Sequence, residues 1–228
     1  MSSPCEPLMP VVEHPAWSSD ARCSATERAS WLFWLLPPLA LLALAAGALT
    51  VDIPAAQWAH GRNYPRVVRE LMSLAEAFGH GVGVTVVLAT VFTLDPKSRK
   101  SLGRSIMAIV AGGCGANLTK LLISRSRPAT SDLFHVDSWQ TFGEWLPLGH
   151  NGSGWQSFPS AHTATAVALA LTLSWLYPRG RYLFALFAAA VGVQRVLGGA
   201  HFPSDVLAGA AVGWWCALAI LRGQNLRR

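Results

Sequence analysis

The chain has 228 residues, of which 52% are hydrophobic and 13% charged, where a soluble domain carries about 25% charged residues. Its mean hydropathy is +0.34 and ten tryptophans sit in 24.4 kDa. This composition excludes a disordered or acidic solvating protein and a nucleic-acid binder with a charged surface, and it points to one polytopic membrane domain. The net charge of +6 fits the same reading, because membrane proteins hold Lys and Arg in short loops to set topology. Cys5, Cys23, Cys114 and Cys216 show neither metal-ligand spacing nor a disulfide framework, and no role is assigned to them.

Residues 1–28 are polar, with Pro4, Pro7, Pro10 and Pro15 and mixed charge. They read as a loosely ordered tail and not as a cleaved signal, which needs a short basic head. The membrane domain is expected over residues 29–228. Ala29–Val51 is 23 uncharged residues, enough to span a bilayer. Residues 52–76 carry Arg62, Arg66, Arg69, Glu70 and Glu76, with Leu71, Leu74, Ala75 and Phe78 at helical spacing, and predict an amphipathic segment on the membrane surface. Ala77–Leu94 is the second span. A basic loop with Lys97, Arg99, Lys100 and Arg104 leads to the third, Ser105–Thr119, whose Gly112, Gly113 and Gly115 suit close helix packing. Residues 121–158 form a long polar connection, and a loop of that length usually works or is disordered. Thr163–Tyr177, Tyr182–Gln194 and Val206–Leu221 are spans four, five and six. The expected fold is therefore all-α, a membrane bundle of six transmembrane helices.

The uncharged cores of spans three to six are only 13 to 16 residues long, shorter than the hydrocarbon core at about 1.5 Å per residue. Each helix either continues past its flanking charge or carries polar groups into the membrane boundary. Lys120 ends span three, His162 starts span four, Arg195 ends span five and Asp205 starts span six. In an up-down bundle these four ends share one side, and polar groups drawn to a membrane boundary default to function. Eleven of the eighteen Lys and Arg lie on the opposite side and seven on this one. The richer side is expected to be cytoplasmic. The cluster then faces the periplasm or the exterior, and both termini the cytoplasm.

Three stretches supply the cluster. In Lys120-x6-Arg127-Pro128 the two cations lie two helical turns apart and share a face if the helix continues. In Pro159-Ser160-Ala161-His162, Pro and Ser before an apolar run signal a helix start, whose free N–H groups and dipole suit a phosphate. In Gln194-Arg195-x5-His201-x3-Asp205 the carboxylate lies four residues after the imidazole. It is expected to accept a hydrogen bond from one ring nitrogen, fixing the tautomer and leaving the other as a nucleophile. Together these are parts that phosphoryl transfer uses when no metal neutralises charge.

Order, spacing and placement at helix ends resemble the type-2 phosphatidic acid phosphatase superfamily, which includes integral-membrane lipid phosphatases and soluble vanadium haloperoxidases. The family pattern is K-x6-R-P, P-S-G-H and S-R-x5-H-x3-D, and the likeness covers roughly residues 50–221. Ala161 stands where the family has glycine, and Gln194 where it has serine. The resemblance implies His201 as nucleophile with Asp205 stabilising it, and His162 as acid and then base. It also implies Lys120, Arg127, Ser160, Arg195 and the backbone around Ala161 as phosphate ligands, with no metal or other cofactor. The implied substrate is a membrane lipid phosphate: phosphatidate, phosphatidylglycerophosphate, a polyprenyl diphosphate or a lipid A phosphate. His135 and His150 in the long loop receive no catalytic role. Six apolar spans argue against a haloperoxidase. A phosphotransferase would share the nucleophile, and a transporter would be expected to show internal repeats, of which the sequence has none.

Overall fold

In the computed structural model, residues 35–61, 64–149 and 152–222 are described. The expected polar tail, the start of the first span, and Cys5, Cys23, Arg62 and His150 lie outside them. The described residues from 37 onward belong to one compact unit.

Among the described residues eight α-helices follow one another: α1 Leu35–Ala48, α2 Asp52–His60, α3 Arg66–Ala75, α4 Gly81–Leu94, α5 Leu102–Lys120, α6 Ala161–Leu176, α7 Arg181–Leu197 and α8 Pro203–Leu221. The protein is an all-α membrane bundle. Among the described residues, Pro178–Leu197 and α8 are each long and apolar enough to cross a membrane. Two bent pairs reach that length only when taken together, α1 with α2 (73°) and Arg66–Phe78 with α4 (66°).

The bundle core is α6, which packs on α5, α7 and α8. Its inner face is small: Ala164, Ala166 and Ala168 are fully buried, with Leu169. Small residues let backbones approach closely where no water drives association. At Gly112 an added Cβ would stand 2.9 Å from the Ala168 methyl, and at Gly213 it would run into the Ala164 carbonyl. A second cluster joins Val84, Leu88 and Phe92 of α4 to Ile109 of α5 and Leu169 and Leu173 of α6.

The helices are longer than the uncharged runs. α5 begins three residues before Ser105 and takes in Arg104; α7 runs on to Leu197; α8 starts at Pro203. The charges thus sit inside the last or first helical turns. α4 is the exception. It starts at Gly81, not Ala77, because the His80 Nδ1 accepts the Val82 N–H (3.3 Å) and caps it. The segment expected on the membrane surface forms α2 and α3. On α3, Val67, Leu71 and Leu74 are exposed along one side while the helix packs on α7.

The helical reading of Lys120-x6-Arg127 fails. The chain leaves the helix after Lys120, and Ile123–Arg125 (β1) pairs antiparallel with Phe142–Trp145 (β2). The described parts of the 121–158 connection are tied together: the Ser157 N–H donates to the Arg125 carbonyl (3.0 Å) and the Arg127 N–H to that of Gly154 (2.8 Å). On the surface His135 pairs with Asp132 (2.8 Å).

Close α6–α8 contact makes Gly213→Ala a destabilising change, of about 1–3 kcal/mol for overpacking. Gly103→Ala in α5, with open space at the Cβ position, is expected to be neutral or to stabilise by up to about 1 kcal/mol. Thermal unfolding in detergent checks both; equal midpoints would contradict the packing.

Candidate active site

The three motif stretches meet at one end of the bundle. Lys120 is the last residue of α5, His162 lies in the first turn of α6, Arg195 in the last turn of α7 and Asp205 in the first turn of α8. His201 lies in the short turn between α7 and α8. Gly199 (φ +66°) makes that turn, a left-handed conformation that suits glycine. The Ala200 and His201 N–H groups both donate to the Arg195 carbonyl (3.1 and 3.2 Å).

Beneath these groups lies Arg125, whose side chain is fully buried. Nε donates to Thr141 Oγ1 (2.9 Å), one Nη to Ser204 Oγ (2.7 Å) and Asp205 Oδ1 (2.6 Å), and the other Nη to Asp52 Oδ2 (2.7 Å). The guanidinium lies between the Phe142 and Phe202 rings, 4.4 and 4.3 Å from their centroids. Asp52 also accepts the Ser204 N–H (2.9 Å). A buried charge needs partners of this quality to be tolerated.

Asp205 does not hold His201 directly. Its Oδ1 is taken by Arg125, and its Oδ2 accepts the Ser157 hydroxyl (2.6 Å) and the Phe202 N–H (2.9 Å). His201 Nδ1 lies 3.9 Å from Oδ2, beyond hydrogen-bond range. It donates instead to the Ser157 carbonyl at 2.7 Å. A carbonyl only accepts, so Nδ1 carries the proton and Nε2 is left with its lone pair. The expected tautomer results, but through Ser157: the carboxylate holds the serine side chain and the serine backbone holds the ring.

Ser160 is also placed differently from its expected role as a phosphate ligand. It is fully buried and caps α6, its Oγ accepting the Thr163 N–H (3.4 Å) and hydroxyl (2.9 Å). Its own N–H donates to the Asp205 carbonyl (3.0 Å). That leaves the Ala161 and His162 N–H groups as the open donors of the helix end among the described residues.

The cations stand at different degrees of freedom. No described side chain bonds Lys120. Arg127 Nε donates to the Ser153 carbonyl (3.0 Å). Burial first, and the charge of Arg195 second, press the Arg127 guanidinium below its ordinary value, against the pull of Asp205. Arg195 is clamped: Nε donates to Gln194 Oε1 and an Nη meets Glu76 Oε1 at 2.6 Å, while Gln194 Nε2 donates to Glu76 Oε2 (3.1 Å). Gln194 therefore aims Arg195. His162 lies within electrostatic reach of Arg195, Glu76, His80 and Lys120, with the His80 ring 5.9 Å from its own.

Five participants were not legible as such in the sequence: Asp52, Arg125, Ser157, Glu76 and His80. The signal for Arg125 was weak, a third basic residue two positions before Arg127 in a loop. For Asp52 and Ser157 the sequence carries none, since their partners lie 152 and 48 positions away.

The sequence profile of the PAP2 superfamily matches residues 101–228. The chain belongs to this family. It is 32% identical over 170 residues to a protein named lipid A 1-phosphatase from Rhizobium etli, covering 68% of this chain and 70% of that one. Another protein of that name, from Rhizobium johnstonii, is 42% identical over 110 residues, which are 48% of this chain and 42% of the relative. The crystal structure of a transmembrane PAP2-type phosphatidylglycerolphosphate phosphatase from Bacillus subtilis shares the fold, with a TM-score of 0.59 at 17% identity over 84% of this chain and 97% of that one.

Burial above all, then Lys120 and Arg127, holds the His201 imidazole well below its ordinary value of 6.5, against a smaller opposing effect of the Ser157 carbonyl. The folded protein thus binds fewer protons at this site than the unfolded chain as pH falls through about 6.5. Folding stability is expected to drop as pH is lowered from 7 toward 5, and the drop to be smaller in His201→Gln. Unfolding midpoints at both pH values measure this; an equal drop in both proteins would contradict a buried neutral imidazole.

Proposed function

We propose that the chain is a metal-independent lipid phosphate phosphatase of the bilayer, working through a phosphohistidine on His201. The observation that carries this reading is the Ser157 carbonyl on Nδ1, which leaves Nε2 as a neutral nucleophile within the influence of Lys120, Arg127 and Arg195. A phosphate enters with its equatorial oxygens toward those cations and the open N–H groups of Ala161 and His162. Such fixed donors stabilise charge as it develops in the transition state.

The Nε2–phosphorus bond forms as the bond to the lipid oxygen breaks, and His162 gives its proton to that oxygen. His162 then takes a proton from water, which attacks phosphorus and releases inorganic phosphate and free His201. Asp205, 3.9 Å from Nδ1, offsets the positive charge of the phosphoimidazole without touching it. Glu76 occupies Arg195 in the free protein, and an incoming phosphate competes with it.

The chain is read as six spans, whose helices are α1, α4, α5, α6, α7 and α8, with α2 and α3 along the membrane surface. The excess of Lys and Arg on the opposite side supports a site on the extracytoplasmic face with the termini in the cytoplasm. Among membrane lipid phosphates, the relatives named lipid A 1-phosphatase favour a glycosyl phosphate of a lipid A type over phosphatidate, phosphatidylglycerophosphate or a polyprenyl diphosphate.

Phosphate release from these four lipids in detergent tests the reading. Turnover is expected to be greatest with the lipid A type, to persist in EDTA and to fall by at least about a thousandfold in His201→Ala, as for loss of a nucleophile. Activity surviving in His201→Ala would remove the nucleophile, and activity abolished by EDTA would remove the metal-free mechanism.

A further inference from the structure

The turn that follows β2 is apolar and turned outward. Trp145 is 79% exposed, Leu146 62% and Leu148 65%, and no residue from 145 to 149 carries a charge. Large apolar side chains grouped in this way on a surface mark a contact. Both leucines are also left-handed, with φ of +57° and +48°. That conformation is strained for a bulky residue, and turns that face water use Gly or Asn there. An exposed leucine gains nothing from water to offset the strain, whereas in lipid it does.

The turn lies against the end of α5. The Leu146 N–H donates to the Leu122 carbonyl (2.8 Å) and the Leu148 N–H to that of Leu121 (3.2 Å). Leu118, Leu121 and Leu122 are exposed as well, and their spacing of three and four puts them on one side of the chain as it leaves the helix. Ile106, Met107 and Val110 are exposed farther back on α5. The leucines of the turn thus add a layer to an apolar surface that begins on a bundle helix, and Trp145, paired with Ile123, follows beyond them. Tryptophan at the water side with leucine beneath it is the order of a membrane boundary.

Irregular backbone is tolerated beside lipid only where its polar groups are satisfied within the protein. Over residues 146–148 both N–H groups are bonded to α5's end, and Pro147 has none to satisfy. We propose that the 145–148 turn enters the bilayer on the side of the candidate active site, with Trp145 at headgroup level and the two leucines among the upper acyl carbons. This rests on α5 being a span and not on the phosphatase chemistry. The ribbon held there is the one whose other strand ends at Arg125 and leads on to Arg127.

Photocrosslinking identifies what covers the turn. The photoreactive residue p-benzoylphenylalanine replaces Leu148, Met107 or His135 in turn, and the full chain is irradiated in phosphatidylcholine vesicles and analysed by mass. Met107 reports the exposed side of α5, and His135 an exposed polar position of the same connection. Phospholipid adducts are expected at positions 148 and 107, and at least about tenfold fewer at 135, which lies outside the apolar surface that lipid covers. Adducts at 107 with none at 148, or equal yields at 148 and 135, would overturn the proposal. So would adducts from 148 to a second copy of the chain. Adducts at neither 107 nor 148 would overturn it together with the reading of α5 as a span. Phosphate release from a lipid phosphate in the same vesicles bears on the phosphatase reading alone.

A second measurement needs no crosslinker. Tryptophan emission of the wild type and of Trp145→Phe is compared in vesicles of phosphatidylcholine brominated either near the acyl carbonyl or near the methyl end. The emission that Trp145→Phe removes is expected to be quenched at least about twofold more by the shallow bromines than by the deep ones, as for a tryptophan at the membrane interface. Equal quenching by both lipids, or quenching by neither, would overturn the proposal.

Discussion

A guanidinium with no exposed surface must find its partners inside the protein, and Arg125 draws three other parts of the chain to it to supply them. Asp52 comes from α2, Thr141 from the loop before β2, and Ser204 and Asp205 from the start of α8. The interactions are mutually dependent. Removing one partner of a buried ion pair leaves an uncompensated charge, typically at a cost of about 3–5 kcal/mol. The start of α8 is thereby fixed, and through Asp205 so are Ser157 and the N-terminus of α6. The ring of His201 then has one partner within reach, the Ser157 carbonyl.

The same arrangement divides the charges of this end of the bundle into two layers. In the buried layer Arg125 sits between two carboxylates. Above it Lys120 and Arg127 meet no carboxylate partner among the described residues, while Arg195 is balanced by Glu76. Cations left uncompensated at a membrane boundary are costly, and in the proposed mechanism an arriving phosphate relieves that cost. Glu76 gives the free protein a partial substitute for such an anion. Its carboxylate is 36% exposed and can turn to solvent, whereas the Arg195 guanidinium it leaves is only 11% exposed and needs another anion in its place.

Much of this end was legible in the sequence because the motif residues lie at helix ends, and helix ends are set by local signals. Ser160 before an apolar run and Pro203 at the start of another are such signals, and they place His162 and Asp205 in first turns. The exact bounds were less legible. Counting uncharged residues stops a helix at Arg104 or Arg195, although both continue in helical conformation. The largest departures come from contacts between residues distant in sequence. The i, i+4 spacing of His201 and Asp205 suggests a direct bond only when Arg125, 80 residues before Asp205, is left out. The same contacts make residues 121–149 and 152–158 a structured floor for the site, and the helix ends at Lys120, so that Arg127 arrives from a ribbon and not from α5.

The most direct measurement is chemical trapping of the intermediate. Protein mixed with a ³²P-labelled lipid phosphate, quenched within milliseconds in base and digested, should carry label that is stable to alkali, labile to acid and confined to His201. Its phosphorus should be on Nε2, because Nδ1 is engaged by the Ser157 carbonyl. Label on Nδ1, on another residue, or on none while phosphate is being released would contradict it.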